Sequence, residues 1–151
     1  MESAMNSDYD IISLSHEIKR IMEYAYGERM EDFGLRKVEV DILYFIAHAG
    51  NKDTARDIIN AQHISKAHIS KSVDNLRQKG YILLEEDSTD HRKAHIHITE
   101  KGLPLVKEFE TIHQKVVEQL FSGVTAEEKA CMKRIAQKVA DNARSYIEEK
   151  A

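Results

Sequence analysis

The chain has 151 residues, 42% of them hydrophobic and 32% charged, with a formal net charge of −4, one proline and one cysteine. That balance describes one domain, or two small lobes sharing a core, long enough to bury most of its apolar surface without staples. Cys131 alone excludes an internal disulfide framework and fits a reducing compartment; no apolar run reaches membrane-spanning length and the first residues lack a secretory layout, so the expected location is cytoplasmic.

Residues 8–32 place Ile11, Leu14, Ile18, Ile21, Met22 and Ala25 at three- and four-residue steps, a long amphipathic helix interrupted by Gly27 and closed by Phe33-Gly34. Residues 37–49 predict a second helix with Val38, Ile42, Leu43, Phe45 and Ile46 inward and Gly50 as its stop, apolar enough to be central. Asp53 or Thr54 caps a short third helix with Ala55, Ile58 and Ile59 on one side. A short connection, residues 60–64, then leads into a fourth helix that starts at Ser65 and stops at Gly80.

The fourth helix carries one narrow apolar stripe, Ile69, Val73 and Leu76, and is otherwise polar or basic. Lys66, His68, Ser70 and Lys71 crowd its first turn and a half, with no neighbouring carboxylate before Asp74. Two short helices joined so tightly have the form of a helix-turn-helix, and donors at the start of the second suit the acceptors of a DNA major groove. An ordinary amphipathic surface helix would show the same stripe. The acidic total argues mildly against nucleic acid, but between Ala61 and Gly80 four bases face Asp74 alone, a local charge of +3, while acids gather at 28–32, 85–87 and 127–128.

After Gly80 the period changes from helical to two. Tyr81-Ile82-Leu83-Leu84, a polar turn cluster over 85–90, and the alternation Ala94-His95-Ile96-His97-Ile98-Thr99 predict a β-hairpin with Ile96 and Ile98 toward the core and His95 and His97 on the other face. A hairpin directly behind a helix-turn-helix forms a wing. Arg92 near its tip, with Asp90 two residues before it to orient it, is placed to probe a minor groove. A further helix is expected from Thr99-Glu100 to about 121, with Leu105, Phe109, Ile112, Val116 and Leu120 as its stripe and Pro104 placed to delay or bend its start. Thr125-Ala126-Glu127-Glu128 is a capping box opening a last helix through Ile135, Val139, Ala143 and Tyr146. The class is mainly α with a small β-hairpin.

This order of elements resembles the MarR family of transcriptional regulators across nearly the whole chain. The sharpest likeness is Asp90-His91-Arg92 followed by Ile98-Thr99, which fits the family's wing pattern; the second is Ile64-Ser65-Lys66 with Val73-Asp74-Asn75-Leu76 and Lys79-Gly80-Tyr81-Ile82 downstream. The resemblance implies a winged helix-turn-helix lobe over 36–99, and dimerisation helices over 8–34 and 100–149 of a single chain, 1–151. It further implies a homodimer straddling a pseudo-palindromic site on double-stranded DNA, and no cofactor. Carried over by position, Ser65, Lys66, His68, Ser70 and Lys71 would face bases or phosphates, and Arg92 would enter the minor groove. The chain departs from the family at Gln62-His63, where the turn usually has Leu-Gly, and at Ala67 and His68, which replace small hydroxyl residues.

Family members also bind small aromatic or phenolic effectors near the dimer interface, and Tyr24, Tyr44, His48 and His113 could line such a pocket. Plain packing, with His48 and His113 as neutral core histidines, is the competing reading. Eight histidines raise metal sensing, but none forms a tight ligand signature. A redox role for Cys131 competes with a buried, inert thiol. No nucleophile elbow, phosphate-cradling glycine loop or paired catalytic carboxylates argue for an enzyme. The expectation is a ligand-responsive repressor; the alternatives are a metal- or redox-responsive regulator of the same fold, or a winged-helix protein-interaction module.

Overall fold

The computed structural model describes residues 8–62 and 64–150, with side chains from Ile11 onward. His63, and with it half of the expected Gln62-His63 departure, lies outside the described residues. In chain order the elements are α1 (Asp8–Asp32), α2 (Lys37–His48), α3 (Ala55–Gln62), α4 (Lys66–Gln78), β1 (Ile82–Glu86), β2 (Ala94–Ile98), α5 (Leu103–Leu120) and α6 (Ala126–Lys150). They fall into two compact units, one ending at Val116 and the other beginning at Val117.

The core of the first unit is drawn mainly from α2 to α5 and the hairpin. Ile42 and Leu43 of α2, Ile58 of α3, Ile69 and Leu76 of α4, Ile96 of β2 and Phe109 of α5 are all buried. Each such side chain contributes roughly 1.5–3 kcal/mol relative to leaving it in water. Ser65 caps α4, its Oγ accepting from the His68 amide at 3.3 Å. At the other end the Tyr81 amide donates to the Leu76 carbonyl at 3.0 Å and the Gly80 amide to Arg77 at 2.9 Å, a closure that sets Gly80 at φ +78°, where a Cβ would be strained.

β1 and β2 pair antiparallel, Leu84 opposite Ile96 and Glu85 opposite His95. A third edge is supplied by one residue: Thr54 bridges to His95, and the Ile96 amide donates to the Asp53 carbonyl at 2.8 Å. The hairpin is thereby fastened to the start of α3. Thr54 rather than Asp53 caps α3: the Thr54 amide donates to Asp57 at 3.1 Å, and the Asp57 amide to Thr54 Oγ1 at 3.3 Å.

Two expected boundaries are corrected. Gly27 does not interrupt α1, which runs unbroken to Asp32; a lone glycine costs about 1 kcal/mol in a helix interior, too little to end it. The helix expected from Thr99-Glu100 begins instead at Leu103, with Pro104 in its first turn where the missing N–H costs nothing. Thr99 caps the turn that leads into α5, its hydroxyl accepting from the Gly102 amide at 3.2 Å while donating to the Gly80 carbonyl at 2.6 Å.

In the second unit Thr125 and Glu128 form the expected capping box, the Thr125 amide donating to Glu128 at 2.8 Å and the Glu128 amide to Thr125 Oγ1 at 3.2 Å. These bonds hold the Glu128 carboxyl below the usual carboxylate range. Ile135, Val139, Tyr146 and Ile147 of α6 are exposed. In the first unit, Ile11, Ile12, Leu14 and Ile18 of α1 are exposed as well.

Candidate nucleic-acid interface

The donor-rich end of α4 is open to solvent. Lys66, His68, Ser70 and Lys71 are all exposed, and among the described residues neither Lys66 nor Lys71 makes an ion pair. Asp74, the first carboxylate on the helix, is occupied: Arg77 donates to it at 2.8 Å and Gln78 at 2.7 Å. Arg77 beside it holds the Asp74 carboxyl below its ordinary value.

What aims α4 is a carboxylate that sequence reasoning passed over. Glu39 of α2 is fully buried, and its Oε1 accepts from Asn75 Nδ2 of α4 at 2.7 Å and from Arg36 Nη2 at 2.8 Å. Its Oε2 accepts from the Arg36 amide at 2.9 Å. Burial pushes the Glu39 carboxyl up, but the hydrogen bonds from the Arg36 amide and guanidinium and from Asn75 outweigh it and leave the group below its ordinary value. The Arg36-to-Glu39 spacing at a helix start is a readable capping signal; its tie to Asn75 is not.

The wing tip is organised by two aspartates in series. Asp87 Oδ1 accepts from the Thr89 amide (2.8 Å), the Thr89 hydroxyl (2.7 Å) and the Asp90 amide (2.8 Å). Asp90 Oδ1 in turn accepts from the Arg92 amide at 3.1 Å and Arg92 Nε at 3.2 Å, while the Arg92 side chain stays 92% exposed. The expected Asp90–Arg92 pair is thus formed with the guanidinium in solvent. At the wing root His95 lies between two carboxylates, Nδ1 at 2.6 Å from Asp53 Oδ1 and Nε2 at 2.9 Å from Asp87 Oδ2. Those bonds, Asp87 first, raise the His95 imidazole to about 8, and the same bond holds Asp87 well below the usual carboxylate range. His97, on the same face as expected, pairs with Glu85 at 3.0 Å.

Between the helix-turn-helix and the wing runs a groove of about 950 Å³. Ser70 and Arg77 of α4, Arg56 of α3, and Arg92 and Lys93 of the wing all line it. The helix and the wing therefore flank one concavity, with basic side chains from three separate elements set among Asp57, Asp74, Asp87 and Asp90.

The aromatic residues singled out earlier are partly brought together. Tyr44 stacks on His48 with ring centroids 4.3 Å apart and lies 5.3 Å from the His113 ring. Tyr24 does not join them: it is 89% exposed and lines a separate hollow with Glu17 and Arg20. Tyr26 takes its place, two residues and roughly 200° further around the helix. It is buried edge-on against Phe109, and its hydroxyl lies 3.0 Å from His113 Nδ1. Burial, with Asp41 and Tyr44 nearby, pushes the Tyr26 hydroxyl up to about 12. His48 is not a core histidine; it is exposed, bonded to the Tyr44 carbonyl at 2.8 Å and paired with Glu110 at 3.1 Å. Tyr44, Phe45 and His48, with Asp41 and Gln62, line an open recess of about 260 Å³.

Among the described residues no cluster of three histidine, cysteine or acidic side chains could hold a metal ion, and no helix is long and apolar enough to cross a membrane. Cys131 is half-buried rather than buried, with Arg134 Nη2 at 3.5 Å from its sulfur.

Residues 33–93 match the model of the MarR family. The fold is similar to that of the S. aureus MepR–DNA complex, at 26% identity and a TM-score of 0.73, covering 92% of this chain and 99% of that one. It is also similar to the crystal structure of MarR (18% identity, TM-score 0.72, 99% of each chain). A MarR protein from Peptoclostridium difficile matches at 20% identity and a TM-score of 0.78, covering 97% of this chain and 95% of that one.

Proposed function

We propose that the chain, whose residues 33–93 match the model of the MarR family, is a winged helix-turn-helix transcriptional regulator of that family that binds double-stranded DNA as a homodimer. The observation that carries this is the shared groove: Ser70 of α4 and Arg92 of the wing line one concavity. A helix seated in a major groove with a wing in the adjoining minor groove must let the phosphate backbone pass between them. A channel bordered by Arg56, Arg77 and Lys93 suits that passage. The S. aureus relative was solved as a complex with DNA.

In this reading Ser65, Lys66, His68, Ser70 and Lys71 meet bases and phosphates, and Asp90 presents Arg92 to the minor groove. The exposed apolar residues of α1 and of α6 are covered by a second copy of the chain, which makes the operator pseudo-palindromic. The protein acts as a repressor whose affinity a small aromatic effector lowers; the recess beside Tyr44 and His48 supports an effector site, with ring faces to stack on. The test is a selection of bound fragments from genomic DNA, with and without small aromatic compounds, followed by titration of an enriched fragment at several salt concentrations. Enrichment of fragments carrying an inverted repeat, with affinity falling steeply with salt, is expected. Failure to enrich any fragment, or an affinity indifferent to salt, would refute the proposal.

A further inference from the structure

We propose that His95 is a positioning residue for DNA binding: as an imidazolium it clamps the wing to the start of α3, and so holds Arg92 where it can reach the duplex. The inference rests on the DNA-binding reading above and adds a residue on the face of the hairpin turned away from the core.

The argument is geometric. Nδ1 faces Asp53, in the segment that leads into α3, and Nε2 faces Asp87, at the base of the wing turn. Both partners are carboxylates, which only accept, so both ring nitrogens must carry hydrogen; that is the charged ring. Loss of one proton turns one nitrogen's lone pair toward a carboxylate oxygen, and one of the two links fails. Asp87 is also the acceptor that closes the turn through Thr89 and Asp90, and Asp90 is the acceptor that holds Arg92. A single chain of contacts therefore runs from α3 through His95 to the guanidinium. The pair of carboxylates accounts for the raised imidazole, about 8. A folded value above the ordinary one means that the clamp is complete below about pH 6.5 and is lost as the pH rises through about 8.

Other charged groups around the ring are accounted for. From β1, Glu85 stands opposite His95 but is taken by His97, whose ring lies 6.4 Å from that of His95. From α3, Asp57 is bonded to Thr54, and Arg56 lines the adjoining groove, as does Lys93 of the wing. At the tip His91 pairs with Glu86. His91 and His97 are thus the other imidazoles whose titration has to be separated from that of His95.

The experiment uses the full chain and a fluorescein-labelled duplex of mixed sequence at low salt, titrated at several values between roughly pH 6 and pH 9. Ring-nitrogen NMR follows the histidines, and amide exchange follows residues 87–93, over the same range. Wild type is expected to lose at least about fivefold in affinity across the transition, the lower end for one groove contact, in step with a His95 titration near pH 8 and faster exchange in the wing. His95→Gln should bind weakly at every pH, His91→Gln and His97→Gln should keep the step, and Arg92→Ala should abolish it. Asp87→Asn should return the His95 titration toward its ordinary value. A step that survives His95→Gln, or one that survives Arg92→Ala, would overturn the inference. Absence of duplex binding at every pH would instead refute the regulator reading, and the clamp would then be decided by whether wing exchange follows the His95 titration.

Discussion

Replacing Glu39 tests whether the buried carboxylate sets the seat of α4. Its two oxygens are unequally loaded: Oε1 accepts from Arg36 Nε at 3.1 Å, Arg36 Nη2 at 2.8 Å and Asn75 Nδ2 at 2.7 Å, whereas Oε2 accepts only from the Arg36 amide at 2.9 Å. Glu39→Gln keeps the volume, and its lowest-energy orientation leaves the carbonyl on the crowded side. The amide group then points its N–H toward the Arg36 N–H, so a charge-assisted bond is lost and a donor at the start of α2 is left facing a donor. That costs about 1.5–3 kcal/mol. For a chain of this length each kcal/mol moves the melting midpoint by roughly 2–4 °C, giving an expected fall of about 3–12 °C. Glu39→Ala also strands Asn75 and opens a cavity, and should cost about 3–5 kcal/mol.

Calorimetry or circular dichroism melts at neutral pH measure both variants against wild type. The acid limb supplies an internal control. Glu39 has a folded value below its ordinary one, so its contribution is present above the unfolded value and disappears as the pH falls through the folded one. The gap between wild type and Glu39→Gln should therefore narrow in acid. A Glu39→Gln midpoint within about 1 °C of wild type at neutral pH, below the smallest expected shift, would refute the account of the carboxylate as the cap of α2, and a Glu39→Ala midpoint that close would refute the account of α4 as held from α2.

Arg92→Ala should weaken binding to an enriched fragment by roughly 1–3 kcal/mol, the worth of one good groove contact, as read by fluorescence anisotropy; unchanged affinity would take the wing out of the interface. Lys66→Ala or Lys71→Ala should each lower the slope of log affinity against log salt by about 0.9 if that lysine neutralises one phosphate, and a slope equal to wild type would reassign it. Gly102→Ala would set a Cβ against the Tyr81 carbonyl oxygen and 2.9 Å from the Ile98 side chain. The backbone must shift to admit it, at a cost of about 1–3 kcal/mol in unfolding free energy; a neutral result in a denaturant titration would show that the approach of the wing to α5 is loose.

What was legible in the sequence was local. Ser65 and Gly80 bracket α4 because a cap and a left-handed stop are decided within a few residues, and the alternation over 94–98 gives a strand because a period of two survives any tertiary setting. What was not legible depended on a partner far along the chain. Alternation sends His95 away from the core correctly, but only Asp53, 42 residues earlier, makes that outer face the root of the wing. Glu39 reads as a surface charge until Asn75, 36 residues later, is seen against it. That Tyr26 rather than Tyr24 meets His113 was not legible because α1 leaves so many apolar residues exposed that its spacing marks no single inward face. Thr99 reads as a cap by residue type and does accept from the Gly102 amide, but the bond its hydroxyl donates to the Gly80 carbonyl could not be read from residue type.

α2 connects both halves of the proposed function. Its first turn holds α4 through Glu39 and Asn75, and its last turns carry Tyr44 and His48, which line the recess. Gln62 at the end of α3 lines the same recess and donates to the Asp41 carbonyl at 3.4 Å. An effector lodged there affects DNA binding only in so far as it binds two positions of α2 unequally, because a ligand with equal affinity for both shifts nothing. The hydrogen bonds on Glu39 make α2 and α4 move together, so a displacement at Tyr44 has a rigid route to the donors at Lys66 and Lys71. Cutting that route by Asn75→Ala should therefore reduce the effector's influence on DNA affinity more than it reduces the affinity itself, a separation that loss of stability alone would not produce.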